Sequence, residues 1–238
     1  SIGIVAEGHE PSMKTLPSSD AELRKEILAT LRAGTTLQIF DNVTEQVASP
    51  ELAAVLTAAR YTGRILGVTE EASFAISTVW MLNGVNVRIA GDMARRSYRS
   101  LVDPQTAIPW QRPEGAFRHP DLLAWALQNR GQILAAVYTL ARAWIQAGRP
   151  EPQRVQPLGS YTEWRFVIGG ILEHAGVEGF LDNAKELYLE ADSDRVQWEA
   201  FLEELASIFG CEPFPVNRVT RILNDDAAGE GHLVDLLP

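Results

Sequence analysis

The octapeptide TLQIFDNV at 36–43 constrains the fold most: an apolar run that ends abruptly in an acid. A short apolar run of this kind suits a strand buried on both faces. An acid directly after it falls at the carboxyl edge of a sheet, where open α/β folds bind their ligands. A second apolar stretch, 75–82, leads into NGVNVRIAGDMARRSYRSLVD at 83–103, which places polar residues and an arginine pair after another strand. Between these lie helix signals. Ser19-Asp20-Ala21-Glu22 reads as a capping box for a helix to about Arg32, with Leu23, Ile27, Leu28 and Leu31 on one face and Gly34 ending it. Ser49-Pro50-Glu51 supplies a cap, a proline at the first helical position and an acid in the first turn. Further strands are expected over 64–68 and 98–102, with a short helical segment opening at Gly91-Asp92. The alternation predicts an α/β core, a parallel sheet flanked by helices.

The character changes at Pro104. Four prolines fall between 103 and 120, and no strand period survives there. Helices are expected over 120–129 and 131–147, then a proline-rich connector, GRPEPQRVQPLG at 148–159. Ser160-Tyr161-Thr162-Glu163 reads as a second capping box for a helix to His174. Helices over 182–190 and 194–209 follow, the latter offering Val196, Trp198, Phe201, Leu202, Leu205 and Phe209 as apolar surface. Asn217 is the expected cap of a final short helix, and the chain from Ala227 is expected to fray. The organisation is thus an α/β core over 1–103, a connector and helical extension over 104–159, and a mainly helical region over 160–238, with a winged-helix-like arrangement as one form of it.

Composition narrows the function classes. A single cysteine, Cys211, excludes a disulfide framework and suits a reducing compartment; it is expected to be a small buried residue near Phe209 and Phe214. His9, His119, His174 and His232 are scattered, so no metal-binding spacing arises. The N-terminal SIGIVAEG lacks the basic flank of a signal peptide, and no apolar run reaches membrane-spanning length, so a cytoplasmic location without membrane partners is expected. A net charge of −10 argues against a broad nucleic-acid-binding surface. Basic residues cluster locally, however: Arg88, Arg95, Arg96, Arg99 and Arg112 stand against Asp92 and Asp103. Arginine presents a rigid fork suited to phosphate or carboxylate, and the same cluster also reads as a solvated basic face. The six tryptophans (80, 110, 125, 144, 164 and 198) follow apolar faces and read as core.

Asp41 is the first candidate site residue. A strand-end acid of this kind orders Mg2+ and its waters in a P-loop ATPase; alternatively it accepts backbone hydrogen bonds at the strand end. Asn42 is suited to orienting a water, and Glu45 to a base role if the loop folds back. Asn83 and Asn86 are amides beyond the next strand, where a phosphate contact competes with an Asx turn beside Gly84. Arg95 and Arg96 are adjacent on a helical turn, so one can hold an acid in its own subunit while the other reaches a neighbour. Residues 8–15, GHEPSMKT, match the phosphate-loop spacing except that Met13 stands where glycine is wanted. Methionine resists the backbone angles that turn successive N–H groups toward phosphate, and Pro17 interrupts the helix that should follow. A chance or degenerate match is expected there, with 2–5 as a short preceding strand.

The order of these pieces resembles the C-terminal part of the ATPase domain in primase-helicase-like proteins of phages, plasmids and integrated elements, which are similar to AAA+ and superfamily 3 ring ATPases. The resemblance runs through IVAEGHEP, DAELRKEILATLRAG, LQIFDNV, LTAARYTGRILGVTE, WMLNGVNVRIAGDMARRS, NRGQILAAVYTLARAWIQAGRP and LGSYTEW. It implies the second Walker acid at Asp41, followed by Asn42, and a sensor role for Asn86, since Asn83 and Val85 depart from the family's Thr-Gly-Asn-Asn turn. It also implies a trans-acting finger at Arg95 or Arg96. ATP and Mg2+ would be the ligands of intact relatives, and a homo-oligomer, other replication proteins and DNA the partners. The resemblance places the phosphate loop upstream of IVAEGHEP, so this chain is expected to be a domain fragment or to have lost the motif, with weak or no ATP hydrolysis alone. Two other classes stay open: a non-enzymatic adaptor or assembly module of ATPase ancestry, and a DNA-binding module using Arg218 and Arg221.

Overall fold

All four residues of Leu37–Phe40 are buried, the pattern expected of a parallel strand covered on both faces. The structure, a computed structural model, describes residues 2–44, 46–65 and 70–225. Its strands are β1 (Met13–Lys14), β2 (Leu37–Phe40), β3 (Arg60–Arg64), β4 (Glu71–Ala75) and β5 (Val79–Leu82). The order β1-β2-β5 makes a parallel sheet, while β3 and β4 form a separate antiparallel pair. Phe40 is in register with Lys14 on one side and Leu82 on the other, so the three strands end level.

Helices α1 (Ile2–Glu7), α2 (Asp20–Arg32) and α3 (Pro50–Thr57) belong to this region, which closes with a 3-10 turn over Gly91–Arg96. The rest is mostly helical: α4 (Leu122–Gln128), α5 (Arg130–Gln146), α6 (Thr162–Trp164), α7 (Gly170–His174), α8 (Ala184–Ala191), α9 (Ser193–Phe209) and α10 (Val216–Asp225). A π-helical stretch, Arg165–Gly169, joins α6 to α7. Ile27, Phe40, Leu52, Val55 and Met93 build the main core, and α8 adds Leu187 to it, so the helical region shares the apolar interior of the sheet. The expected α/β region followed by a mainly helical region is therefore present, in the general layout of an open parallel α/β fold. Among the described residues no helix is long and apolar enough to cross a membrane.

The helix starts explain how α2 and α3 are placed. Ser19 Oγ accepts from Glu22 N at 3.4 Å, and Ser49 Oγ accepts from Leu52 N at 3.3 Å. Ser49 also donates to Asp20 Oδ1 at 2.6 Å, tying the two N-termini together. A polar cluster reinforces them: Arg24 Nε donates to Glu51 Oε1 at 3.0 Å, and the Tyr61 hydroxyl of β3 donates to Glu51 Oε2. The bond from Arg24 holds the Glu51 carboxyl below its ordinary range. Burial, then the bond to Glu51, pushes the Tyr61 phenol from 10.0 up to about 12.

The linkage has a definite sign. In the unfolded chain Tyr61 ionises near 10.0, whereas the fold keeps its proton to about 12, so stability present below pH 10 is lost across that window. Glu51 acts at the other end: its contribution is present above the unfolded carboxylate value and is lost as pH falls through the lowered folded one. Urea midpoints measured against pH are expected to fall on both flanks. In Tyr61→Phe the alkaline decline should be visibly shallower; an unchanged slope would show that this hydroxyl is not held as described.

Several expectations need correction. Residues 2–5 are helical, because α1 closes on Gly8 (φ 85°) through a Gly8 N to Ile4 O bond of 2.9 Å. The expected single strand over 75–82 is two: Ala75 ends β4, and β5 begins at Val79, after Thr78 Oγ1 bonds Thr35 O at 2.7 Å. The neighbouring strand ends at Arg64 rather than running to 68, and residues 66–68 lie outside the described ones. No strand forms over 98–102. That stretch is held instead by side chains, with Arg99 donating to Glu190 at 2.5 Å and Asn183 Nδ2 to Arg99 O at 2.9 Å. Ser160 does not cap: Tyr161 occupies the N-cap position of α6, and its hydroxyl bonds Leu56 O at 2.7 Å. Asn217 lies inside α10, which starts at Val216. Cys211 is exposed. Trp198 and Leu202 are exposed too, because α9 turns Phe201, Leu205 and Phe209 toward α10 instead. The expected frayed end from Ala227 lies outside the described residues, as do His232 and the Trp110 side chain.

Candidate functional site

Level strand ends bring two polar residues side by side. Asp41 and Asn83 each follow the last residue of a strand, β2 and β5, and those last residues are register partners. Asn83 Nδ2 donates to Asp41 Oδ1 at 2.9 Å. The backbone continues the pairing past the strands: Asn83 N to Phe40 O at 2.9 Å, then Val43 N to Asn83 O at 2.9 Å. Asn42 makes this return feasible by adopting the left-handed region, φ 55°, which asparagine tolerates. Gly84 allows the two turns to touch, since a Cβ there would sit 2.2 Å from Val43 O. Farther along, Val47 and Ile89 form a last parallel bridge.

Asp41 is half-buried, and one of its oxygens is oriented by Asn83. Among the described residues no group of three or more His, Cys, Asp or Glu converges on a metal position. A lone carboxylate of this kind fits Mg2+, which keeps most of its waters and takes one or two protein ligands alongside phosphate oxygens. It does not fit zinc or a calcium cage.

The remaining predicted residues are distributed differently. Asn86 is exposed, in the left-handed region at φ 54°, three residues past the amide that meets Asp41. Strand register singles out Asn83, and the signal available in the sequence was its position directly after the apolar run. Glu45 lies outside the described residues. Both arginines turn to Asp92: Arg95 to Oδ1 and Arg96 to Oδ2, the latter at 2.9 Å through Nε. Arg96 is further committed, donating to Ala53 O at 3.1 Å and Thr57 Oγ1 at 2.6 Å. Arg95 stays 67% exposed and can reach outward. The backbone beneath it is clamped, because the absent Cβ of Gly159 would lie 2.6 Å from Arg95 O.

The phosphate-loop-like stretch is not a cradle. Met13 and Lys14 are strand residues, and Lys14 O accepts from Asp41 N at 2.9 Å. The lysine ammonium pairs with Glu26 of α2. Glu26 continues into a buried polar chain that the sequence did not reveal: Thr30 Oγ1 lies 3.4 Å from both Glu26 Oε1 and Gln38 Oε1, and Gln38 Nε2 donates to Ile39 O at 3.0 Å. The helix after β1 opens with Asp20 and Glu22, whose charge disfavours a phosphate at that N-terminus. In α10, Arg218 lies over the Phe209 ring at 5.2 Å, so it braces the α9–α10 pair. An open cleft lined by Glu7, His9, Ser12, Thr35 and Thr36 lies at the opposite, amino-terminal edge of the sheet, away from Asp41. No family model matches the chain, and neither do curated proteins or solved structures at a significant level.

Proposed function

We propose that this chain carries the metal-and-phosphate edge of a helicase-type ATPase core, derived from a primase-helicase of a mobile element, and that it does not turn over ATP by itself. The observation that carries the reading is the Asp41–Asn83 pair at the carboxyl ends of adjacent parallel strands. Asp41 would hold Mg2+ through its remaining oxygen, while the Asn83 amide fixes the carboxylate. The bound Mg2+ would neutralise charge on the phosphates. Arg95, exposed and paired with Asp92, is the arginine suited to completing a neighbouring subunit's site; Arg96 anchors the turn that presents it. Such an arginine implies a homo-oligomer, with DNA as the substrate that subunit motion would act upon.

The sequestration of Lys14 and the acids opening α2 support the absence of autonomous hydrolysis. They equally favour the second reading, an adaptor that keeps the ATPase shape without nucleotide. Titration calorimetry with Mg-ATP separates the two. Saturable binding is expected for the unaltered chain, weakened at least tenfold by Asp41→Ala and hardly changed by Lys14→Ala (about 1.4 kcal/mol corresponds to the tenfold loss). Absence of binding, or binding indifferent to Asp41→Ala, would leave the adaptor.

A further inference from the structure

The chain has 31 acidic residues, yet none lies between Leu122 and Pro150, where Arg130, Arg142 and Arg149 are the only charges. That stretch contains α4 and α5. The C-terminal end of α5 is anchored through Trp144, which is 2% exposed and seated on Gly170 of α7. The body of the helix is not covered. Val137 (51%), Tyr138 (67%), Leu140 and Ile145 (58%) all face solvent, with exposed Arg142 beside Tyr138 and Ile145 on the helix surface. Soluble chains seldom leave a contiguous apolar helix face of this kind open unless something binds it.

A second open face has the opposite charge. In α9, Phe201, Leu205 and Phe209 pack against α10, while Trp198 (47%) and Leu202 (55%) stand exposed four residues apart on the adjoining stripe. Over Ser193–Phe209 the acids are Asp194, Glu199, Glu203 and Glu204, against Arg195 alone. One face is apolar and basic, the other apolar and acidic, and each offers a large aromatic of the kind that dominates interface energetics.

We infer that α5 of one copy docks on α9 of a second copy, apolar stripe to apolar stripe, with Arg142 set against the acidic helix. An α5–α5 contact would bring like arginines together and an α9–α9 contact would bring acids together, so charge selects the mixed pairing. The contact is heterologous: each copy uses α5 toward one neighbour and α9 toward another, which yields a ring if the rotation closes and a filament if it does not. It supplies the surfaces for the oligomer in the reading above but does not depend on nucleotide.

Sedimentation velocity of the full chain without nucleotide tests this. Concentration-dependent association is expected, and Tyr138→Asp and Leu202→Asp, both exposed positions, should each weaken it at least tenfold while circular dichroism stays unchanged. Mixing the two variants should restore a single interface, α5 of the Leu202→Asp chain on α9 of the Tyr138→Asp chain, and stop at a 1:1 dimer. Arg142→Glu, which turns the basic face acidic like α9, should weaken association as well. Asp41→Ala should assemble like the unaltered protein, so loss of nucleotide binding and loss of assembly are read separately. A monomer throughout the concentration series, or mixed variants that fail to pair, would overturn the inference. So would a monomer that binds phosphatidylserine vesicles through α5, since that would assign the basic apolar face to a lipid surface.

Discussion

Gly84→Ala is expected to lower stability by about 3 kcal/mol, the upper end of what overpacking costs, and to weaken Mg-ATP binding among the molecules that remain folded. The reason is local. A Cβ at residue 84 would lie 2.2 Å from Val43 O, a backbone atom that cannot swing aside like a side chain. Relief requires the 41–43 and 83–84 turns to separate, which lengthens the Val43 N to Asn83 O bond and pulls the Asn83 amide from Asp41. Asn83→Ala provides the comparison: it removes the amide but leaves the turns packed, so it should affect nucleotide binding with little change in the urea midpoint. A Gly84→Ala midpoint equal to that of the unaltered protein would show that the two turns are not in contact.

Phe40→Ala should be more damaging to the fold, by about 3–5 kcal/mol. Phe40 is fully buried in the middle strand, and its ring stacks with Trp80 at 6.0 Å between centroids. Truncation leaves a cavity beneath both α2 and α3 that the strand ladder on either side prevents from collapsing. Against a typical domain stability of about 5–15 kcal/mol, a loss of this size places much of the population near unfolding at elevated temperature. Val79→Ala, at a position 64% exposed on the sheet edge, should shift the midpoint little. Equal losses for the two variants in urea titrations followed by circular dichroism would mean that the interior is not centred on β2.

What the sequence made legible follows from the range of the interactions involved. β2, α2 and α3 were readable because each is specified locally, by an unbroken apolar run or by a serine cap with an acid in the first turn. The candidate acid, Asp41, was readable for the same reason. Its partner was half readable: Asn83 stands directly after an apolar run, but the choice between it and Asn86 is made by the register of β5 on β2. Lys14 misled by spacing: the phosphate-loop resemblance in residues 8–15 is dissolved by parallel pairing with β2 and by Glu26, twelve residues on. Residues 75–82 looked like one strand because both halves are apolar, whereas the break is set by a bond from Thr78 to Thr35. Trp198 looked like core because α9 has more apolar surface than α10 can cover.

The first helix shows how far such long-range dependence extends. At six residues α1 is too short to persist alone. Its terminal carbonyls are claimed by one guanidinium: Arg130 Nε donates to Ile4 O at 3.2 Å and Val5 O at 3.0 Å, and Nη2 to Ala6 O at 3.2 Å. That arginine is the first residue of α5, so the start of the chain and the base of the long helix open and close as one cooperative unit. Amide exchange in α1 is accordingly governed by fluctuations of α5, and whatever steadies α5 from outside will slow exchange in a helix far from it in sequence.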